Sequence, residues 1–118
     1  MKNKTGLGRW WSASIFSWQG FRDTYKTEEG FRQETWVGMV LIPLSFFVAD
    51  SVIEWLLLVL TYLTILLAEM LNTAMEATVN RFGTEWNELT GKAKDAGSAA
   101  VMIAIIMTVI TWGAILFT

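Results

Sequence analysis

The chain has 118 residues, of which 53% are hydrophobic, 14% aromatic and only 17% charged, with a net charge of −2. Soluble domains carry about 25% charged residues, so a chain this apolar is expected to have a membrane as part of its solvent. It has no His and no Cys, which excludes disulfide scaffolds, thiol nucleophiles, zinc sites built on Cys or His, and every Ser-His or Cys-His mechanism. Nucleic acid is not expected as a partner, because the charge balance gives no basic footprint. Any chemistry must come from carboxylates, amides, Lys and Arg.

The first predicted element is a surface helix over about 5–26. At about 100° per residue, Leu7, Trp10, Trp11, Ile15, Trp18, Phe21 and Tyr25 share one face. Arg9, Ser12, Ala13, Gln19, Gly20 and Asp23 fall mainly on the other. Aromatics opposite polar residues describe a helix lying in the membrane interface, a depth that Trp rings prefer. Phe16 breaks the pattern and points with Arg9. It either packs on a neighbouring loop or offers a flat face to a planar ligand. Arg22, Asp23 and Lys26 interrupt the apolar run and no small-residue cleavage site follows, so no secretory signal peptide is predicted.

A spanning helix needs roughly 20 mostly apolar residues. Three segments meet this, at about 29–49, 53–81 and 92–118, with Pro43 inside the first. The fold expected is thus all-α and integral to the membrane, a single domain of 118 residues. All nine Lys and Arg lie before or at the start of the first span, or at the ends of the second and third spans that flank the 82–91 loop. By the excess of basic residues on cytoplasmic loops, the N-terminus and the 82–91 loop are cytoplasmic and the C-terminus is outside.

The most informative stretch is Ala68–Asn80. On a helix Glu69, Asn72, Thr73, Glu76 and Asn80 fall in one sector, opposite Leu, Met, Ala and Val. Ionisable groups at membrane depth are costly and usually functional. Glu69 and Glu76 are two turns apart, about 10 Å along the axis, too far to chelate one ion together. They suit two tasks, with Asn72 between them. In the third span Ala96, Ala100 and Ala104 form a small-residue row that predicts close helix approach. Three helices cannot shield Glu69 from lipid on all sides, which predicts a homo-oligomer whose site is lined by more than one chain. Gly83–Lys92 lacks both the spacing and the hydroxyl of a phosphate-binding loop, and no protein-kinase signature is present.

The run Glu69-Met-Leu-Asn72-Thr73-Ala-Met-Glu76, followed by Gly83-Thr-Glu85-Trp-Asn-Glu88-Leu-Thr-Gly91-Lys-Ala-Lys94-Asp95-Ala-Gly97-Ser98, closely resembles the small integral-membrane diacylglycerol kinases of Gram-negative bacteria. Gly6, Arg9, Ser17-Trp18, Gly20, Arg22, Glu28, Phe31-Arg32-Gln33-Glu34 and Ile110-Thr111-Trp112 fit the same pattern. The resemblance covers nearly the whole chain. It implies a homotrimer with three membrane helices and a surface helix per chain, in the bacterial inner membrane, which moves the γ-phosphate of ATP onto diacylglycerol to give phosphatidate.

By that resemblance Glu69 is the general base on the lipid hydroxyl and Asn72 helps to position it. Glu28 and Glu76 hold Mg²⁺ on the phosphates, and Lys94 counters phosphate charge. Arg9, Phe16, Glu85, Trp86, Asn87 and Asp95 complete the ATP site. The lipid lies along Arg9, Ser14, Ile15, Phe16, Ser17, Trp18, Arg22, Asp23, Thr24, Tyr25, Phe31, Arg32, Gln33 and Glu34, with Glu69, Ser98 and Trp112. A carboxylate-and-Mg²⁺ kinase needs neither His nor Cys. The sequence departs from the family pattern at Phe16 (for Tyr), Ser12 (for Lys), Asn80 (for Asp) and Asn87 (for His), changes that touch nucleotide preference. Two alternatives are an undecaprenol kinase, as in Gram-positive relatives, and a small proton-coupled transporter with Glu69 as carrier. A transporter needs a polar path across the whole membrane, whereas this stripe covers only part of one helix and the third span carries no charge after Asp95.

Overall fold

A computed structural model of the chain describes residues 6–83, 85 and 87–118. Four helices follow one another: α1 (Gly6–Thr27), α2 (Glu29–Val48), α3 (Val52–Asn80) and α4 (Glu88–Leu116). No strand occurs among the described residues.

The elbow between α1 and α2 is a helix broken at one residue. The Glu28 N–H still reaches the Thr24 carbonyl (2.9 Å) and the Glu28 carbonyl accepts the Arg32 N–H (3.1 Å). Glu28 itself is extended, at φ −110° and ψ 110°. The last carbonyls of α1 have no partner within the helix. Arg32 Nη1 supplies one, donating to the Tyr25 and Lys26 carbonyls at 2.9 and 3.2 Å. Phe21 and Phe31 meet edge to face at 5.1 Å, and Phe31 is fully buried. Trp36 Nε1 donates to the Tyr25 hydroxyl at 2.9 Å. The rest of α1 is largely exposed, with Leu7, Trp10, Trp11 and Trp18 all more than 60% accessible.

The turn into α3 is set by Ser51 and Glu54. Ser51 Oγ accepts the Glu54 N–H (3.1 Å) while the Glu54 carboxylate accepts the Asp50 N–H (2.9 Å), a reciprocal cap of the first turn. Gly83 follows the end of α3 in the left-handed region at φ +119°, which only glycine adopts without strain. Asn87 Oδ1 accepts the Thr90 N–H at 2.9 Å, so α4 starts at Glu88. The loop expected over 82–91 is therefore shorter, its last four residues forming the first turn of α4.

The α3–α4 contacts descend in step, which makes the pair antiparallel. Gly97 meets Asn72, Ala104 packs with Tyr62 and Ile65, and Thr108 Oγ1 donates to the Thr61 carbonyl (3.0 Å). Trp112 Nε1 donates to the Leu58 carbonyl (3.2 Å). The α2–α3 seam is anchored by the Tyr62 hydroxyl, which donates to the Glu34 carbonyl. Gly38 lies flush on that ring, where a Cβ would stand 2.7 Å from Tyr62 Cε2. Hydrogen bonds between helices are worth about 0.6–2 kcal/mol each in lipid. The small-residue row is displaced from its expected place. Ala104 is buried but Ala96 and Ala100 are exposed. The Thr108 and Trp112 bonds turn α4 so that Gly97, not Ala96, faces α3.

Both α3 and α4 are long and apolar enough to cross a membrane, and only 17% of the most apolar stretch of each is buried. A soluble core helix would be mostly buried. Leu56, Leu60, Leu63, Leu67, Ile103 and Ile106 instead face outward, as lipid-facing residues do. The 20 residues of α2 are about 30 Å long. Glu29, Arg32 and Glu34 occupy its first two turns, so its uncharged part is shorter than that of α3 or α4.

Candidate active site

The polar residues of α3 form a half-buried row at Glu69, Asn72, Thr73 and Glu76, while Asn80 is exposed. Asn72 Nδ2 donates to Glu76 Oε1 at 2.9 Å, which fixes both side chains. The opposite amide orientation would set two acceptors against each other. Asn72 Oδ1 is buried without a donor. It lies against Gly97, where an added Cβ would overlap it and stand 2.8 Å from Met75 Cε. An unsatisfied buried acceptor costs about 1–3 kcal/mol. The bare backbone of α4 at Gly97 thus leaves the space that Asn72 fills.

Glu69 turns toward α2 rather than α4. A Cβ on Gly30 would lie 3.9 Å from Glu69 Oε1, and Glu34, one turn along the same face of α2, is its acidic neighbour there. One end of the row therefore addresses α2 and the other α4.

Glu28 stands at the α1–α2 elbow and makes no capping hydrogen bond with its side chain. No group of three or more side chains suited to a metal occurs among the described residues. Glu28 and Glu76 supply carboxylate oxygens, the donors that Mg²⁺ takes one or two at a time when phosphates complete its shell. On α1, Arg9, Ser14, Ile15, Phe16, Ser17 and Trp18 are all exposed, and Phe16 pairs with no aromatic ring among the described residues. Ser14, Ser17, Trp18 and Phe21 help to line an open hollow of about 570 Å³ along that helix. Arg22 and Asp23 are exposed and pair loosely at 3.9 Å, a contact of little energetic weight in water. Gln33 Nε2 donates to Glu29 Oε1 at 3.3 Å. Lys94, Asp95 and Ser98 lie exposed on the early turns of α4, and Glu85 is exposed in the loop. Trp86 lies outside the described residues.

Three expected lipid contacts are interior instead. Phe31 is fully buried against Phe21, and Thr24 is 6% exposed; both are needed to close the elbow. Trp112 is 8% exposed and its N–H is taken by Leu58. It lies about 27 Å along α4 from Lys94. Asn87, expected at the nucleotide, has its amide oxygen occupied in capping α4. The Arg9 and Phe16 side of α1 is not gathered with Lys94 and Asp95 within one chain, because α1 packs on α2 and α3 and not substantially on α4.

Two features of the site are missing from the sequence reading. Glu34 is grouped there with the lipid residues, not beside Glu69. Gly97 is read as part of a run, not as the cradle of Asn72. The signal for both is spatial: Gly30 and Glu34 share one face of α2, and Gly97 faces α3 only because α4 is rotated as it is.

The profile of the family described as prokaryotic diacylglycerol kinase matches residues 15–116. The chain is 43% identical over 117 residues to the diacylglycerol kinase of Haemophilus influenzae (strain Rd), covering 99% of both chains. It is 40% identical over 116 residues to the diacylglycerol kinase of Escherichia coli K12, covering 98% of this chain and 95% of that protein. The diacylglycerol kinase of Pseudomonas aeruginosa PAO1 is 40% identical over 115 residues, covering 98% and 94%. Matched over nearly its whole length by relatives at these identities, the chain belongs to the prokaryotic diacylglycerol kinase family.

Proposed function

We propose that the chain transfers the γ-phosphate of ATP to the hydroxyl of diacylglycerol, giving phosphatidate, at the cytoplasmic face of a bacterial inner membrane. One arrangement carries this reading in a chain of this family: Glu69 beside α2 and, about 10 Å along the same helix, Glu76 held by the Asn72 amide. Two carboxylates so separated divide the work, one serving the lipid alcohol and the other the nucleotide phosphates.

Glu69 accepts the hydroxyl proton as the lipid oxygen attacks the γ-phosphorus. The bond from that phosphorus to the β–γ bridging oxygen breaks, and ADP leaves. Such a transfer depends on positioning and charge neutralisation more than on covalent help. Asn72, expected to help position the base, has its amide on Glu76 instead and so positions that carboxylate. Glu28 and Glu76 would hold Mg²⁺, which when bound neutralises charge on the phosphates. Lys94 adds a positive charge, and Arg9, Phe16, Glu85 and Asp95 complete the nucleotide site, with the exposed Phe16 ring as a stacking face. The lipid occupies the exposed side of α1 from Ser14 to Trp18 and the elbow near Arg22, Tyr25, Arg32 and Gln33.

In this reading α2 crosses the membrane as well, as the first of three spans, with its charged first turns at the cytoplasmic interface. The distribution of basic residues puts the N-terminus and the α3–α4 loop on that same side and the C-terminus outside. A homotrimer completes the site, since Arg9 and Lys94 lie on helices that scarcely touch within one chain. A neighbouring chain would cover the apolar groove of about 320 Å³ between α3 and α4, lined by Leu67, Leu71, Met75, Ile103 and Met107 among others.

Purified protein in mixed micelles with labelled ATP, Mg²⁺ and either diacylglycerol or undecaprenol tests the reaction. Label is expected in phosphatidate. Label only in undecaprenyl phosphate would reassign the acceptor, and no labelled lipid in either arm would end the kinase reading. Glu76→Gln is expected to raise the Mg²⁺ concentration needed for half-maximal rate or to abolish turnover. An unchanged Mg²⁺ titration would remove Glu76 from the metal site.

A further inference from the structure

The Glu34 carboxyl on α2 neighbours Glu69 of the α3 row. Its Oε2 is sealed from solvent, and no N–H or hydroxyl donor reaches it. Its neighbour is Glu69, whose Oε1 would stand 3.9 Å from a Cβ at Gly30, one turn before Glu34 on the same face of α2. Two ionised carboxylates are acceptors only, and side by side away from water their charges repel. A single proton between them removes the repulsion and satisfies both.

Among the described residues no Lys or Arg is paired with either carboxyl. Arg32, half a turn before Glu34, is committed to the Tyr25 and Lys26 carbonyls. On α3, Tyr62 faces Glu34 but donates its hydroxyl to the Glu34 backbone carbonyl. On α4, Lys94 and Asp95 are exposed, and on α1, Arg22, Asp23 and Lys26 are exposed. The Tyr62 bond and the close fit of Gly38 on the Tyr62 ring also lock this turn of α2 against α3. The carboxyl pair is thus placed by backbone packing.

We propose that Glu34 and Glu69 share one proton, and that Glu34 is thereby the positioning residue that aims the base. Glu34 donates its O–H to one Glu69 oxygen and leaves the second free for the lipid hydroxyl. The pair carries one proton before transfer. When the alcohol oxygen bonds to phosphorus its proton goes to Glu69, the pair becomes two neutral acids, and one proton returns to water as the product leaves. The role assigned to Glu69 rests on the kinase reading above; the shared proton does not.

Infrared spectroscopy of the full chain in lipid, without ATP, tests the shared proton independently of turnover. A protonated-carboxyl band that shifts in D₂O is expected in the wild type and is expected to be lost in both Glu34→Gln and Glu69→Gln. No such band, or a band that survives unshifted in either variant, would overturn the sharing. In the kinase assay Glu34→Gln is expected to lower kcat by about tenfold to a hundredfold, the size of effect a misplaced catalytic group produces, with the KM for ATP unchanged. Glu34→Asp should restore part of that loss. Wild-type kcat in Glu34→Gln would overturn the positioning role. The Tyr62 bond is made to the Glu34 backbone, so the Gln variant retains it. Should no variant or wild-type protein phosphorylate lipid, the kinase reading fails while the infrared result still decides the pair.

Discussion

Glu69→Gln is expected to leave the protein folded and lipid phosphorylation reduced by about 10²–10⁴-fold, the usual contribution of a positioned general base. Gln has the same shape as Glu and fits the half-buried place beside Gly30 and Glu34. It cannot accept the hydroxyl proton. Its amide can donate to Glu34, so the α2–α3 contact is kept and the helix content should match the wild type. ATP is held elsewhere in the proposed site, so nucleotide affinity should change little. Single-turnover rates with preformed ATP complex separate the chemical step from binding. A variant within tenfold of the wild-type rate, with ATP affinity intact, would remove Glu69 as the base while leaving the reaction class standing. The non-isosteric Glu69→Ala is a weaker test, because it also strips the partner from Glu34 and opens a gap between α2 and α3.

The elements of this fold are legible in the sequence because membrane helices write themselves in long uncharged runs. The span expected over about 53–81 matches α3 closely, and the Glu69–Glu76 row follows from helical spacing alone. Rotations and close approaches are less legible. Ala96, Ala100 and Ala104 are evenly spaced, and nothing in that spacing says that Thr108 and Trp112 will turn α4 until Gly97 meets Asn72. Thr24 on α1 and Phe31 on α2 sit among residues that read as lipid contacts, yet both are buried at the elbow around Glu28. Trp112 is expected at the lipid, but its N–H finds a carbonyl across the helix pair. Asn87 reads as a ligand residue and is also a cap, two roles that its one-letter code does not separate. Glu34 follows the same logic. Its charge is visible in the sequence, but its meeting with Glu69 depends on the packing of Gly38 and Tyr62.

Gly97→Ala should cost far more activity than stability, and the reason lies in Asn72. The new methyl would overlap Asn72 Oδ1 and press on Met75 Cε. Met75 is flexible and can yield. Asn72 is tied to Glu76 through a 2.9 Å bond and can yield only by breaking it or by pushing α4 outward. The Thr108 and Trp112 hydrogen bonds farther along α4 oppose that second route. Overpacking of this kind costs about 1–3 kcal/mol, so the variant should remain helical and membrane-inserted. Its kcat should nevertheless fall by about a hundredfold, since a misplacement near 1 Å is enough for that. A double-mutant cycle with Asn72→Ala assigns the cause. If Gly97→Ala acts through Asn72, it should do little further harm once that side chain is gone, because effects on contacting residues do not add. Fully additive losses, or wild-type activity in Gly97→Ala alone, would show that Gly97 does not hold Asn72 in place for catalysis. Gly97→Ala combined with Met75→Ala supplies the control: relief at Met75 without relief at Asn72 should leave activity low.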